Sequence, residues 1–192
     1  MTIQHKNIQE ADLHEPKGIS TATAGTIYVA DGAGSGTWEE APGRFFGELY
    51  ITNNSTALTL AASSAATKID PGNAWDSGEY RGFTLQPDDG NIVLSGAGVH
   101  RVMFWCDFTT AAIAAGTSYT FKFAINGTVS NRAITTVKTS NGVDRLQVSA
   151  FGFAETLASG DVLSMYVAGN ATSSGTQIVI KEAGLLVEKM AD

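Results

Sequence analysis

From residue 45 onward, apolar and polar positions alternate with a period of two, in short runs broken by turn residues. The clearest run is 119–125. Tyr119, Phe121, Phe123 and Ile125 fall on one side and Thr120, Lys122 and Ala124 on the other. That is the signature of a β-strand with one buried face. The run 99–108 is longer, and its even positions Val102, Phe104, Cys106 and Phe108 form a core-facing row. Further strands are predicted over 45–52, 57–60, 82–85, 91–94, 133–139, 144–153, 162–168, 177–181 and 185–189. The punctuation is turn chemistry: Pro71-Gly72-Asn73, Pro87-Asp88-Asp89-Gly90, Asn126-Gly127, Asn141-Gly142 and Ser159-Gly160-Asp161. Asn-Gly pairs supply the positive φ angles that tight hairpins need. No segment carries the period of a long helix; the Ala-rich stretch 57–67 is equally rich in Ser and Thr and reads as a loop with strand ends. About ten short strands with turns roughly every ten residues predict an antiparallel sandwich or barrel.

Residues 1–44 follow another pattern. Their apolar positions, among them Leu13, Ile27, Tyr28, Val29 and Trp38, are too scattered for a core of their own, and Pro16 and a Gly-rich run at 32–36 interrupt them. We read this part as an extended arm with one short strand at 26–30, which gains order by lying on another surface. Two parts are expected: an arm, 1–44, and a sandwich, 45–192.

Composition narrows the function classes. Of 192 residues, 43% are hydrophobic and only 16% charged, enough for a core but with a surface left largely to Ser, Thr, Asn, Gly and Ala. The net charge of −7 without a basic cluster argues against nucleic acid as a partner. No stretch approaches the roughly 20 apolar residues of a membrane-spanning helix, and the polar start of the chain lacks the apolar core of a signal peptide. Synthesis in the host cytoplasm without processing by that route, and no membrane partner, is therefore the expectation. The single cysteine, Cys106, excludes an intrachain disulfide.

Catalytic chemistry finds no constellation, and no enzyme activity and no cofactor are expected. Two of the three histidines, His5 and His14, lie in the arm, and His100 begins a strand beside Arg101, where an edge or interface position is expected. Cys106 shares the apolar face of its strand, where a thiol is inert. The Gly-rich run at 32–36 lacks the Lys-Ser/Thr of a phosphate loop and precedes no helix. Asp88, Asp89 and Asn91 could offer oxygens to a hard cation, but no glutamate follows at the distance a calcium loop needs, and a polar turn is expected. Asp161 is expected to hydrogen-bond its own turn. Glu39-Glu40 and Asp88-Asp89 are adjacent pairs, which a strand would point to opposite faces.

An ordered set of segments carries a resemblance. It comprises the Gly-rich approach Ser95-Gly-Ala-Gly98 before the aromatic strand 99–108, the aromatic strand 119–125 ending in Asn126-Gly127, the element Leu157-Ala-Ser-Gly-Asp-Val-Leu163, and the terminal Gly184-Leu-Leu-Val187. From Leu94 onward the chain resembles the C1q/TNF-like jelly roll, including the versions carried on phage fibres and decoration proteins; His100 departs from it, standing where the family often has an aromatic. The segments Leu13-His-Glu-Pro-Lys-Gly18 and 24–38 look like the leading part of small phage structural proteins.

The resemblance implies an all-β antiparallel jelly-roll sandwich, C1q/TNF-like, that assembles as a homotrimer. The residues agree with such an interface. Met103 and Trp105 lie on the odd face of their strand, and Phe151 and Phe153 lie opposite Leu146, Val148 and Ala150 on theirs, so a monomeric sandwich would leave them uncovered unless a bulge turned them inward. Each such side chain buries about 150 Å² at roughly 25 cal/mol/Å². The function so implied is that of a phage virion structural protein, a capsid decoration (cement) protein on the capsid surface. Its partner would be the major capsid protein or another virion component, held through the arm residues Leu13, Pro16, Ile27, Tyr28, Val29 and Trp38. The alternative is a tail fibre or receptor-binding tip, in which the loop 72–80 would offer Trp75 and Tyr80 for stacking on a host ligand; the same two residues could instead belong to the core.

Overall fold

The computed structural model describes residues 26–30, 33, 36–40, 45–62, 65–110, 117–138, 145–150, 154–170 and 176–191. The chain divides into two units, Met1–Gly43 and Arg44–Asp192.

The described part of the first unit is a β-hairpin of β1 (Thr26–Ala30) and β2 (Gly36–Glu40). The sequence predicts only the first of these strands. The second, Gly-Thr-Trp-Glu-Glu, carries one apolar residue, Trp38, which pairs with Tyr28 across the hairpin. Their rings meet edge to face, 5.4 Å apart at 64°. Cross-strand aromatic contact of this kind is what holds a two-stranded ribbon in register.

The second unit is an all-β antiparallel sandwich of thirteen strands among the described residues. One sheet contains β3 (Phe46–Ile51), β4 (Leu58–Thr59), β6 (Asp76–Arg81), β9 (Gly98–Thr110), β12 (Arg145–Ala150), β13 (Ala154–Leu157) and β15 (Gln177–Ala191). Its order is β12-β9-β15-β3-β6, with β13 also pairing β9 and β4 pairing β15. The other contains β5 (Ala66–Lys68), β7 (Phe83–Gln86), β8 (Asn91–Leu94), β10 (Ser118–Ile125), β11 (Thr128–Lys138) and β14 (Val162–Gly169). Its order is β11-β10-β14-β8-β7, with β5 pairing β14. From β8 onward the chain passes back and forth between the sheets, so that β14 and β15, late in sequence, sit in the middle of their sheets. This is the jelly-roll wrap, and it bears out the expected fold class.

The core lies between the sheets where the alternation places it. Phe104, Phe108, Tyr119, Phe121 and Phe123 are all buried. Phe121 of one sheet meets Phe104 at 5.6 Å and Phe108 at 5.4 Å on the other. The Asn126-Gly127 turn has positive φ at both residues, 51° and 75°, and joins β10 to β11 as a hairpin.

Two expectations are corrected and one strand is added. Residues 76–81, read as part of a loop, form the strand β6, which among the described residues pairs only with β3. The runs 177–181 and 185–189 are one strand, β15, bulged between Ile180 and Glu182. The predicted strand 144–153 is matched by β12 over its described residues, 145–150, whereas β13, beyond the predicted span, is a strand the sequence did not signal and pairs with a different stretch of β9. The bulge in β15 is fastened by Asn54. Its side-chain amide donates to the Ile180 carbonyl at 2.8 Å and its backbone N–H donates to Lys181 at 3.1 Å. Such fastening re-aims the strand after the extra residue.

Candidate functional site

The two sheets present unlike outer faces. On the β11-β10-β14-β8-β7 sheet the outward side chains bond to one another. Thr120 and Thr136 hydroxyls lie 3.0 Å apart. Lys68 Nζ donates to Asn91 Oδ1 at 2.8 Å, and Asn91 Nδ2 donates to Gln86 at 3.3 Å. That face is a solvated one.

The outer face of the β12-β9-β15-β3-β6 sheet is built differently. Alternation along β9 turns Arg101, Met103 and Trp105 outward, opposite the buried Val102, Phe104 and Cys106. The pairing register sets them in rows: Trp105, Gly184 and Tyr50; Met103, Leu186 and Glu48; Arg101, Glu188 and Phe46. Trp105 is 44% exposed and Met190 52%. Gly184 is what lets Trp105 lie flat, because a Cβ there would run into the indole ring. Arg101 closes the end of the patch with a 2.9 Å ion pair to Glu188. Partial exposure keeps that pair's contribution to stability small, and its effect is to orient the guanidinium along the sheet. The result is a partly exposed group of Trp105, Tyr50, Met103 and Leu186, with Glu48 and the Arg101–Glu188 pair in the adjoining rows.

Of the other expected interface residues, Phe151 and Phe153 lie outside the described residues. In the arm, Leu13 and Pro16 lie outside them too. Ile27 and Val29 are 40% and 38% exposed on one face of the hairpin, while Tyr28 and Trp38 share the other. The pair offered as stacking residues separates. Trp75 is a core residue, and its indole N–H donates to the Ile69 carbonyl at 2.6 Å. Tyr80, on β6, is 58% exposed.

His100 is neither an edge nor an interface residue. It faces the core and is fully buried, because β13 and β15 flank its strand on both sides. Asp161 does hold its turn: Oδ2 accepts from the Ala158 N–H at 2.8 Å and Oδ1 from Asn126 Nδ2 at 2.8 Å. Asp88 and Asp89 sit in a single 3-10 turn capped by Gly90, and among the described residues no three His, Cys, Asp or Glu side chains converge as a metal site would require. Two open depressions stand out among the described residues. One, of about 340 Å³, sets Lys181 beside Glu182 next to the bulge. The other, of about 390 Å³, lies at the β10-β11 edge near Glu155. Ser55 and Thr109 also line the first, and Thr128 and Ser130 the second.

Cys106 is buried, and that burial pushes its thiol well above the ordinary range, with Asp107 adding to the effect. The native protein should therefore resist a thiol-reactive disulfide reagent and label only as it unfolds. Rapid stoichiometric labelling of native protein, followed by absorbance, would contradict the placement of this strand.

No family model matches the chain, and no curated protein matches it in sequence. Among solved structures it is similar to Eiger, a TNF from S. frugiperda, with 14% identity and a TM-score of 0.48 over 78% of this chain and 94% of that one. It is likewise similar to the globular domain of zebrafish complement 1qA protein, with 14% identity and a TM-score of 0.48 over 78% of this chain and all of that one.

Proposed function

We propose that this chain is the subunit of a homotrimeric phage virion protein that decorates the capsid, its sandwich forming the trimer and its N-terminal unit reaching the capsid protein. The observation that carries the self-association is the aromatic strip of Trp105, Tyr50, Met103 and Leu186 on one sheet face, opposed to the hydrogen-bonded polar face of the other sheet. Burying such a strip is the usual source of association free energy. The attachment role rests on the hairpin. A two-stranded ribbon is marginal in water alone, and Ile27 and Val29 leave an apolar edge to be covered. The low charge and the resemblance of the leading segments to phage structural proteins support the virion setting. The exposed Tyr80 favours a second reading, a fibre or receptor-binding tip, in which β6 faces a host ligand.

Light scattering of the purified chain should give three times the 20.1 kDa subunit mass. Trp105→Glu should return the mass of one subunit, since a buried aromatic anchor of this kind is worth about 2–4 kcal/mol. An unchanged mass in the variant would reject the strip as the interface. Removing residues 1–44 should leave the oligomer intact and abolish particle binding. Quantitative mass spectrometry of virions then separates the settings. Tens to hundreds of copies in fixed ratio to the capsid protein mean decoration, a handful means a fibre or tip, and absence refutes the virion assignment.

A further inference from the structure

The inner face of the β12-β9-β15-β3-β6 sheet is apolar for most of its length, but one end of it is not. There His100 of β9 stands in register between Glu155 of β13 and Lys189 of β15. Directly opposed residues share a face, so three titratable side chains form one row at the end of the sandwich. His100 Nδ1 lies 2.9 Å from the Gly98 carbonyl oxygen. A carbonyl only accepts, so Nδ1 carries the proton and donates. Nε2 is then left as an acceptor, buried and with no hydrogen-bond partner among the described residues. The ring packs against Phe83 of the other sheet, centroids 5.8 Å apart.

We propose that His100 is an acid-operated release: protonation at Nε2 opens the end of the sandwich formed by Gly98–Arg101, β13 and the last residues of β15, while the aromatic core stays closed. The neutral ring can leave Nε2 without a partner at modest cost, whereas the imidazolium needs an acceptor there and solvation that a buried site does not supply. The charged groups that face the ring are Lys189 from β15, Glu155 from β13 and Asp161 from the turn before β14. Arg101, on the same strand, is turned outward to Glu188. Burial is the largest influence and holds His100 below the ordinary 6.5; the Gly98 hydrogen bond opposes it, Lys189 adds to it, and Asp161 opposes it. The sign follows. The opened chain binds a proton near pH 6.5 and the closed one does not, so the closed state is whole above that pH and loses stability as pH falls toward the lowered value. Opening one end costs less than unfolding the molecule, so the proton is taken up there first.

Amide hydrogen exchange on the full chain between pH 7.5 and 5, corrected for the intrinsic exchange rate, tests this. Protection at residues 98–101 and 154–157, relative to 119–123, should fall by up to about tenfold per pH unit below the ordinary histidine range. His100→Phe should make that ratio independent of pH, and Glu155→Gln should leave the dependence in place. Equal pH dependence in wild type and His100→Phe, or its loss in Glu155→Gln alone, would overturn the proposal. If His100→Phe does not fold, the imidazole carbon resonance of wild-type His100 decides: a midpoint clearly below 6.5 sustains the release, and one at or above it removes the basis.

Discussion

Phe121→Ala should destabilise the sandwich by about 3–5 kcal/mol, the range for deleting a buried aromatic side chain. Phe121 is completely buried at the centre of the aromatic row, with Phe104 and Phe108 across the sheet gap at 5.6 and 5.4 Å, and Phe108 in turn meets Tyr119 at 5.4 Å. Those edge-on and tilted contacts add about 0.5–1.5 kcal/mol each beyond the area they bury. Two hydrogen-bonded sheets enclose the site, so the cavity has little means of closing and the upper half of the range is expected. A loss of this size is a large fraction of the roughly 5–15 kcal/mol that keeps a domain folded. Urea titration should show the midpoint falling with little change in slope, since the surface exposed on unfolding is nearly the same. A loss below about 1 kcal/mol would mean that the row is not the centre of the core.

Gly98→Ala should be nearly as damaging, for a reason unrelated to cavities. Gly98 opens β9 with φ at +141°, a conformation that L side chains rarely adopt. A Cβ there would meet the Ala191 carbonyl oxygen and would lie 2.9 Å from Lys189 Cε. Backbone strain of this kind costs about 1–3 kcal/mol, and overpacking adds about 1–3 kcal/mol more. Because the carbonyl belongs to the backbone of β15, no rotamer relieves the clash; the two strands must part at this end. Thermal unfolding should register a drop on the order of 10 °C. A melting curve within a degree or two of wild type would show that β9 and β15 do not meet as described.

Alternation made the centre of the fold legible. In β9 and β10 it assigns every core aromatic to its face and turns Met103 and Trp105 outward. What stayed hidden has identifiable causes. In β15, Ile178 and Ile180 keep one phase and Ala183, Leu185 and Val187 the next, because the bulge inserts a residue; a shifted phase reads as two strands. Strand β6, Asp-Ser-Gly-Glu-Tyr-Arg, buries almost nothing, so no apolar rhythm marks it. His100 looked peripheral because its burial depends on β13, a partner more than fifty residues away in sequence. The seat of Trp105 was hidden likewise: nothing in the local sequence links it to Gly184, which only the register brings beneath the indole. Trp75, an aromatic in a polar stretch, resembles a ligand-stacking residue until the Ile69 carbonyl is seen to hold its N–H.

The position of β15 also bears on how the molecule is made. It is the last of the described strands in sequence, yet it lies between β9 and β3, pairing with β9 along most of its length and with β3 over Ala183–Glu188. Until residues 177–191 have emerged from the ribosome, β3 and β9 have no common neighbour and this sheet remains two fragments with open edges. Closure waits on pairings across more than a hundred residues of chain, the kind of contact that slows folding. The growing chain must therefore pass through a stage in which its aromatic face is formed but uncovered, and conditions that stall synthesis before Gln177 should yield aggregates rather than a smaller folded product.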